Sequence, residues 1–296
     1  MDHQRRKILK QMAILPFLKV VSSDTAALGS SSLKAPRISF SVNAYSFNAA
    51  LSSGEMTLFD MMDHAAEIGL NAVDLTAYYF PGYPKVPNDD YLFKFKRKAL
   101  KLGLDISWTG VRNNFATSST EARQADIAMI ENWAKASAKL GAPIMRIFAG
   151  RGSYENHSKE TVKEWMVEDL KTCATIAGSY GLLLGLQHHN DFLFSSTEVI
   201  DILERVNSEW LGLILDIGSL HGDTYAEIEQ LAPYADYWFI KEYVYPNGKK
   251  AAVDMQKIAQ ILRKSNYKGY VSFESLSDGD PKQIVAKMFA DLQAAL

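Results

Sequence analysis

The chain has 296 residues, of which 47% are hydrophobic and 22% charged, with a formal net charge of −2. That balance is ordinary for a globular protein, and the length suits one large α/β barrel domain. The single cysteine, Cys173, excludes a disulfide framework within one chain and any cysteine-based zinc site. Inside the helical pattern KTCATIAGSY it reads as a small buried thiol.

The first 34 residues stand apart. MDHQRRKILKQMAILPFLKVV opens with a basic stretch and runs into a short apolar one broken by Pro16 and Lys19. It is too short and too interrupted for a stable membrane span and reads as an export signal. Arg5-Arg6-Lys7-Ile8-Leu9-Lys10 is similar to the twin-arginine signature, with Gln4 where Ser or Thr is usual, so a periplasmic location is expected. Residues 1–34 hold six Lys/Arg and two Asp/Glu; without them the chain carries 26 against 32, a net charge of −6. An acidic body without a basic stripe argues against a nucleic-acid partner. A homo-oligomer stays open.

From residue 35 onward, strand-like and helix-like segments alternate. The strand candidates in chain order are ISFSVNAY, NAVDLTA, LDISWTG, PIMRIFAG, LLLGLQ, LGLILD, DYWFIK and GYVSFE. Between them lie helical patterns such as TLFDMMDHAAEIG, YLFKFKRKALKLG, EARQADIAMIENWAKASAKLG and VKEWMVEDLKTCATIAGSYG. In the third, Ile127, Ile130, Ala134 and Ala138 recur at helical spacing. Gly69, Gly103, Gly141 and Gly181 stand where left-handed helix caps belong. Ser158 caps KETVKEW, and Ser196 or Thr197 is expected to cap EVIDILERV. Such alternation indicates right-handed βαβ units and a parallel sheet. Eight units favour a closed (β/α)8 TIM barrel over an open sheet. Neither GxGxxG after the first strand nor GxxxxGK[ST] is present, which removes support for nucleotide-binding variants.

Several apolar runs end in a polar or charged residue: Asp74, Arg146, Gln187, Asp216, Lys241 and Glu274. An ionised group is costly to bury without a partner, and strand C-termini are where α/β barrels build their sites. Side chains alternate between strand faces. By that parity Gln187, Asp216, Lys241 and Glu274 converge from four consecutive strands, facing Asn43, Asp74 and Arg146, while His189 follows Gln187 on its face and His188 points away. Trp108, Tyr45, Tyr78 and Phe115 lie near strand ends, able to stack on a sugar ring or to pack. His64, His157, His188 and His221 read as surface or supporting residues.

HAAEIGLNAVDL, ASAKLGAPIMRIFAG, GLLLGLQHHNDF, WLGLILDIGS and GYVSFESL together resemble the sugar phosphate isomerase/epimerase family, the xylose-isomerase-like barrels that also include abasic-site endonucleases. The resemblance covers most of residues 37–296. It implies one divalent metal (Mn, Zn, Mg or Co) held by Glu after the fifth strand, Asp after the sixth, His or Gln after the seventh and Glu after the eighth, and two glutamates that move a proton beside a substrate carbonyl. Asp216 and Glu274 match. Gln187 replaces the fifth-strand Glu, and Phe239 stands at the seventh-strand position. An amide oxygen can ligate a hard cation but is neither charged nor a base, and phenylalanine cannot ligate. His189 offers a replacement nitrogen ligand or base.

The resemblance therefore implies a sugar isomerase or epimerase acting by metal-assisted proton abstraction. Gln187, Asp216 and Glu274 would be metal ligands, and Glu274, His189 and Lys241 catalytic. Asn43, Asp74, Trp108, Arg146 and Lys241 would contact a small carbohydrate. One retained glutamate favours a one-base isomerisation or a lyase or hydratase reaction on a keto-glycoside. The alternative is a metal-free sugar-binding barrel, in which Asp216 and Glu274 serve as ion-pair partners of Lys241 or Arg146. An abasic-site endonuclease would need a richer set of histidines and carboxylates.

Overall fold

Strand runs that are apolar almost throughout are stable only with both faces covered. The computed structural model describes residues 38–152, 154 and 156–296; the expected export signal, residues 1–34, lies outside them. Eight strands alternate with helices: β1 (Ser39–Asn43), β2 (Ala72–Thr76), β3 (Asp105–Gly110), β4 (Ile144–Phe148), β5 (Leu183–Gln187), β6 (Leu211–Asp216), β7 (Ala235–Lys241) and β8 (Tyr270–Glu274). Each pairs in parallel with the next, and β8 pairs with β1 to close the barrel. The expected (β/α)8 architecture is the observed one, and every strand falls within its predicted run except β7, which starts one residue earlier at Ala235. A short antiparallel ribbon, Tyr243–Val244 with Ala251–Ala252, follows β7.

All the helices but α1 begin at short polar caps, and most end at or just before a residue with left-handed backbone. They are α1 (Asn48–Ser53), α2 (Leu58–Glu67), α3 (Asp89–Leu102), α4 (Thr120–Leu140), α5 (Lys159–Ser179), α6 (Ser196–Val206), α7 (Thr224–Leu231), α8 (Met255–Lys264) and α9 (Pro281–Ala295). Thr57 and Asp60 form a reciprocal capping box at α2. Ser158 caps α5 as expected. At α6 the cap is Ser195, one residue before the expected pair, because its side chain accepts from the Glu198 amide while Ser196 is already helical. Gly69, Gly103, Gly141 and Gly181 all have positive φ. No helix among the described residues is long and apolar enough to cross a membrane.

The apolar side chains divide between two regions. The larger lies between strands and helices and contains Cys173, whose thiol pKa burial pushes up. The smaller plugs the barrel interior with Trp108, Ile144, Ile214, Tyr237 and Phe239. Beside this plug the Ser107 hydroxyl lies 2.8 Å from Ser41 Oγ and 3.0 Å from Tyr237 Oη. These three hydroxyls thus satisfy one another.

One tryptophan ties the wall to the loop after β2. Trp133 of α4 is fully buried, its Nε1 donates to the Pro84 carbonyl at 2.8 Å, and its ring meets Phe80 edge-on at 5.4 Å. Tyr83 in the same loop accepts from the Arg112 amide at 2.9 Å. Trp133→Ala is expected to lower the unfolding free energy by about 3–5 kcal/mol. Trp133→Phe keeps most ring contacts but leaves the Pro84 carbonyl without its donor, an expected cost of roughly 1–3 kcal/mol. Urea midpoints at constant m-value measure both, and a change below about 1 kcal/mol for the alanine variant would refute the pinning role.

Candidate active site

The register of the barrel brings the C-terminal residues of its strands to one rim: Asn43 pairs with Asp74, Phe148 with Gln187, Asp216 with Phe239, and Glu274 with Lys241. A cavity of about 620 Å³ opens there, and Asn43, Arg146, Gln187, His189, Lys241 and Glu274 all line it. Six sequence-predicted residues from five strands or their following loops are therefore brought to one space. Asp74 and Trp108 are not among the lining residues. Trp108 is fully buried in the barrel plug with Tyr237 and Phe239, so it packs beneath the mouth. Phe115 is likewise core, whereas Tyr45 and Tyr78 reach the cavity.

Asp216, at the end of β6, is the hub. Its Oδ2 accepts from Lys241 Nζ at 2.8 Å and from Gln187 Nε2 at 2.8 Å, and lies 3.2 Å from His189 Nδ1. Its Oδ1 accepts from the Gly218 amide at 3.0 Å. Lys241 Nζ also lies 2.9 Å from Glu274 Oε2, a close charge contact off the hydrogen-bonding direction, since that oxygen has no aligned donor. Asp216 is 0%, Lys241 4% and Glu274 5% exposed, so this three-membered ion cluster is screened little by solvent. Burial alone would raise the Asp216 pKa, but the Lys241 ammonium and His189 hold it well below the usual carboxylate range. Burial alone would lower the Lys241 pKa, but Asp216 and Glu274 hold it above that of a free lysine. Asp216 and Lys241 are thus charged at neutral pH.

His188 is buried rather than exposed. It faces away from the cavity and its Nε2 accepts from the Asp216 amide at 3.2 Å. Burial lowers its pKa to about 4, so it is a neutral support beneath the hub. Asp74 is also fully buried. Its Oδ1 accepts from the Ala44 amide at 3.2 Å and from the Thr76 hydroxyl at 2.9 Å, and burial raises its pKa well above that of a free aspartate.

Arg146 is 2% exposed and holds its guanidinium 3.9 Å from the Phe148 ring centre and 5.3 Å from that of Trp108. Nη1 donates to the Val111 carbonyl at 2.7 Å, while the buried Nε has no partner. Among the described residues no carboxylate lies within 4.0 Å of it. Burial lowers its pKa, but a guanidinium keeps its proton. Gly110 makes this possible: a Cβ there would lie 2.8 Å from Arg146 Nε and 2.3 Å from the Trp108 ring.

Several lining residues were not anticipated. Arg112, Asn113 and Asn114 follow β3, Arg151 follows β4, and Glu242, Tyr243, Tyr245 and Lys250 come from the segment after β7. Position just beyond a strand end was the available signal, but none of these lies within an apolar run. Asn113 acts as a false strand residue, exchanging hydrogen bonds with the Phe148 backbone at 2.8 and 2.9 Å. Gly218 was missed for lack of a side chain, yet a Cβ there would come within 2.6 Å of Lys241 Cδ.

The metal shell implied by the resemblance can be tested against these contacts. Phe239 is buried in the apolar plug and brings no donor atom. Gln187 directs its amide nitrogen at Asp216. Lys241 Nζ lies within 2.9 Å of both retained carboxylates, the space a shared ion would need, since ligand oxygens sit about 2.0–2.6 Å from such an ion. Among the described residues no group of three or more His, Cys, Asp or Glu could hold an ion. Of the expected ligand set, Asp216 and Glu274 flank an ammonium and Gln187 is bonded to Asp216, and as arranged the set does not fit a divalent cation.

Residues 62–293 match the family described as xylose isomerase-like TIM barrel. No curated protein matches the chain. Among solved structures, 3-keto-D-glucoside 4-epimerase from E. coli superposes with a TM-score of 0.69 at 14% identity, covering 87% of this chain and 100% of that one. D-Allulose 3-epimerase from Methylomonas sp. gives 0.69 at 14% identity, with 88% and 99% covered. The probable 3-DHS dehydratase from Bacillus anthracis gives 0.68 at 16%, with 87% and 98% covered. At these identities the likeness is one of fold, while the family match spans most of the sequence: the chain belongs to the xylose isomerase-like TIM barrel family.

Proposed function

We propose that this protein is an enzyme acting on a sugar or keto-sugar derivative, moving a proton at the carbon beside a carbonyl to give isomerisation or elimination. The observation that carries the reading is the buried Asp216–Lys241–Glu274 cluster opening into a polar cavity on the rim where barrels of this class place their chemistry. Tyr45, Tyr78 and Phe148 give that cavity aromatic faces beside amides and cations, a mixture suited to the alternating C–H and O–H surface of a sugar. The names of the structural neighbours, two sugar epimerases and a dehydratase, support the same chemistry.

In this reading Glu274 removes the proton and returns it to the neighbouring carbon, or hands it to a leaving hydroxyl. The electron pair released from the C–H bond passes to the carbonyl oxygen, where Lys241 and Arg146 hold the developing negative charge. Asp216 keeps Lys241 protonated and placed, and His189, 3.2 Å from Asp216, is positioned to relay a proton to a substrate oxygen. A non-catalytic sugar-binding barrel is the second reading. It is favoured by Gln187, which puts an amide where a two-base relay would need a carboxylate.

Glu274→Gln is expected to lower kcat by about 10²–10⁴-fold with little change in KM, measured on a panel of keto-sugars with deuterium uptake from solvent at the carbon beside the carbonyl. Wild-type turnover in the variant would sink the base assignment; sugar binding by the wild type without turnover or exchange would favour the second reading. Export through residues 1–34 belongs to the same proposal. Replacing Arg5 and Arg6 by Lys is expected to leave the protein in the cytoplasm, and periplasmic recovery equal to wild type would refute that route.

A further inference from the structure

We propose that Lys241 is a built-in cation that takes the place of a divalent ion, so that this barrel works without a metal. Four observations converge. Lys241 Nζ stands between Asp216 and Glu274, at 2.8 and 2.9 Å, the two carboxylates that match the implied ligand set. Of the other two members of that set, the fifth-strand residue is changed in the direction a smaller charge requires and the seventh-strand one has lost its donor. Three carboxylates around a divalent ion and two around an ammonium carry the same net charge of −1, so replacing Glu by Gln187 compensates the exchange of two positive charges for one. Phe239, which brings no donor atom, packs in the barrel plug, consistent with a site that has no fourth ligand to supply.

The chain around the lysine is also shaped to it. Gly218, two residues beyond Asp216, leaves room for the aliphatic stem: a Cβ would lie 2.6 Å from Lys241 Cδ and 3.4 Å from its Cβ. The same residue's amide holds Asp216 Oδ1. Lys241 is 4% exposed, so it is a fixed interior group and not a surface side chain folded inward. A divalent ion bound to the same two oxygens would stand against the ammonium with no solvent between them, and like charges at contact in a dry site repel strongly. What the cation does for a substrate rests on the reading proposed above; its presence in place of a metal does not.

The full-length protein, dialysed against chelator and then equilibrated with MnCl2, is the test. The wild type is expected to retain below about a tenth of an equivalent of Mn²⁺ and to melt within about 1 °C of the same temperature with Mn²⁺ or with chelator. Stoichiometric binding, or a melting temperature that falls on chelation, overturns the inference. Lys241→Met combined with Gln187→Glu removes the ammonium and restores a third carboxylate. This double variant is expected to take up close to one equivalent of Mn²⁺ and to gain chelator-reversible stability, and a folded double variant that binds no Mn²⁺ also overturns the inference. Should the double variant not fold, Gln187→Glu alone, which keeps the lysine, decides together with the wild type: neither binds Mn²⁺ if the lysine holds the place, and binding by either refutes it. Failure of turnover with Mn²⁺ still excluded would defeat only the proposed function.

Discussion

A lysine ammonium pressed between two buried carboxylates organises the rim of this barrel. Asp216, Lys241 and Glu274 come from three adjacent strands, β6, β7 and β8, and each would be costly to bury alone. Together they compensate one another, and Asp216 is further satisfied by Gln187 and the Gly218 amide. Such a cluster tolerates little change, because removing one member leaves the others charged in a poorly solvated place. It also sets the local chemistry: an aspartate held ionised, a lysine held protonated, and a glutamate in the cavity wall.

Arg146 and Asp74 show two other ways to keep a polar group inside a strand. The guanidinium lies against aromatic rings and gives one hydrogen bond to backbone, so its charge remains unopposed by any carboxylate within 4.0 Å among the described residues. Asp74 instead has its pKa raised by burial and accepts two hydrogen bonds from its own neighbourhood. One supplies a cation to the cavity; the other supports the floor. The loops complete the mouth, with Arg112 tied through Tyr83 to the segment that Trp133 pins. The rigid strands therefore carry the charged centre, and the loops carry the surfaces that would discriminate among substrates.

Much of this was legible before any coordinates. Periodicity, glycine stops and polar caps marked the strands and helices because local backbone preferences agree with the global fold here. Parity along β5 to β8 was enough to bring Gln187, Asp216, Lys241 and Glu274 to one rim, since alternate residues of a strand share a face. Nearness to a strand end misled for Trp108: its ring turns into the plug with Tyr237 and Phe239, and depth along the barrel axis depends on the stagger of strands around the closed sheet. The α6 cap slipped by one residue because three hydroxyl residues in a row, Ser195 to Thr197, offer equivalent local chemistry.

Residue order by itself determined the class of fold, the strands that face one another and the identity of the acidic and basic groups at their ends. Those properties follow from patterns that repeat every two or 3.6 residues and need no distant partner. Tertiary structure alone decided what stands between Asp216 and Glu274. Whether a flexible four-carbon lysine reaches into that gap depends on the bare Gly218 beneath its stem and on the register joining β6, β7 and β8, and such packing across strands leaves no trace in the spacing of residues along the chain.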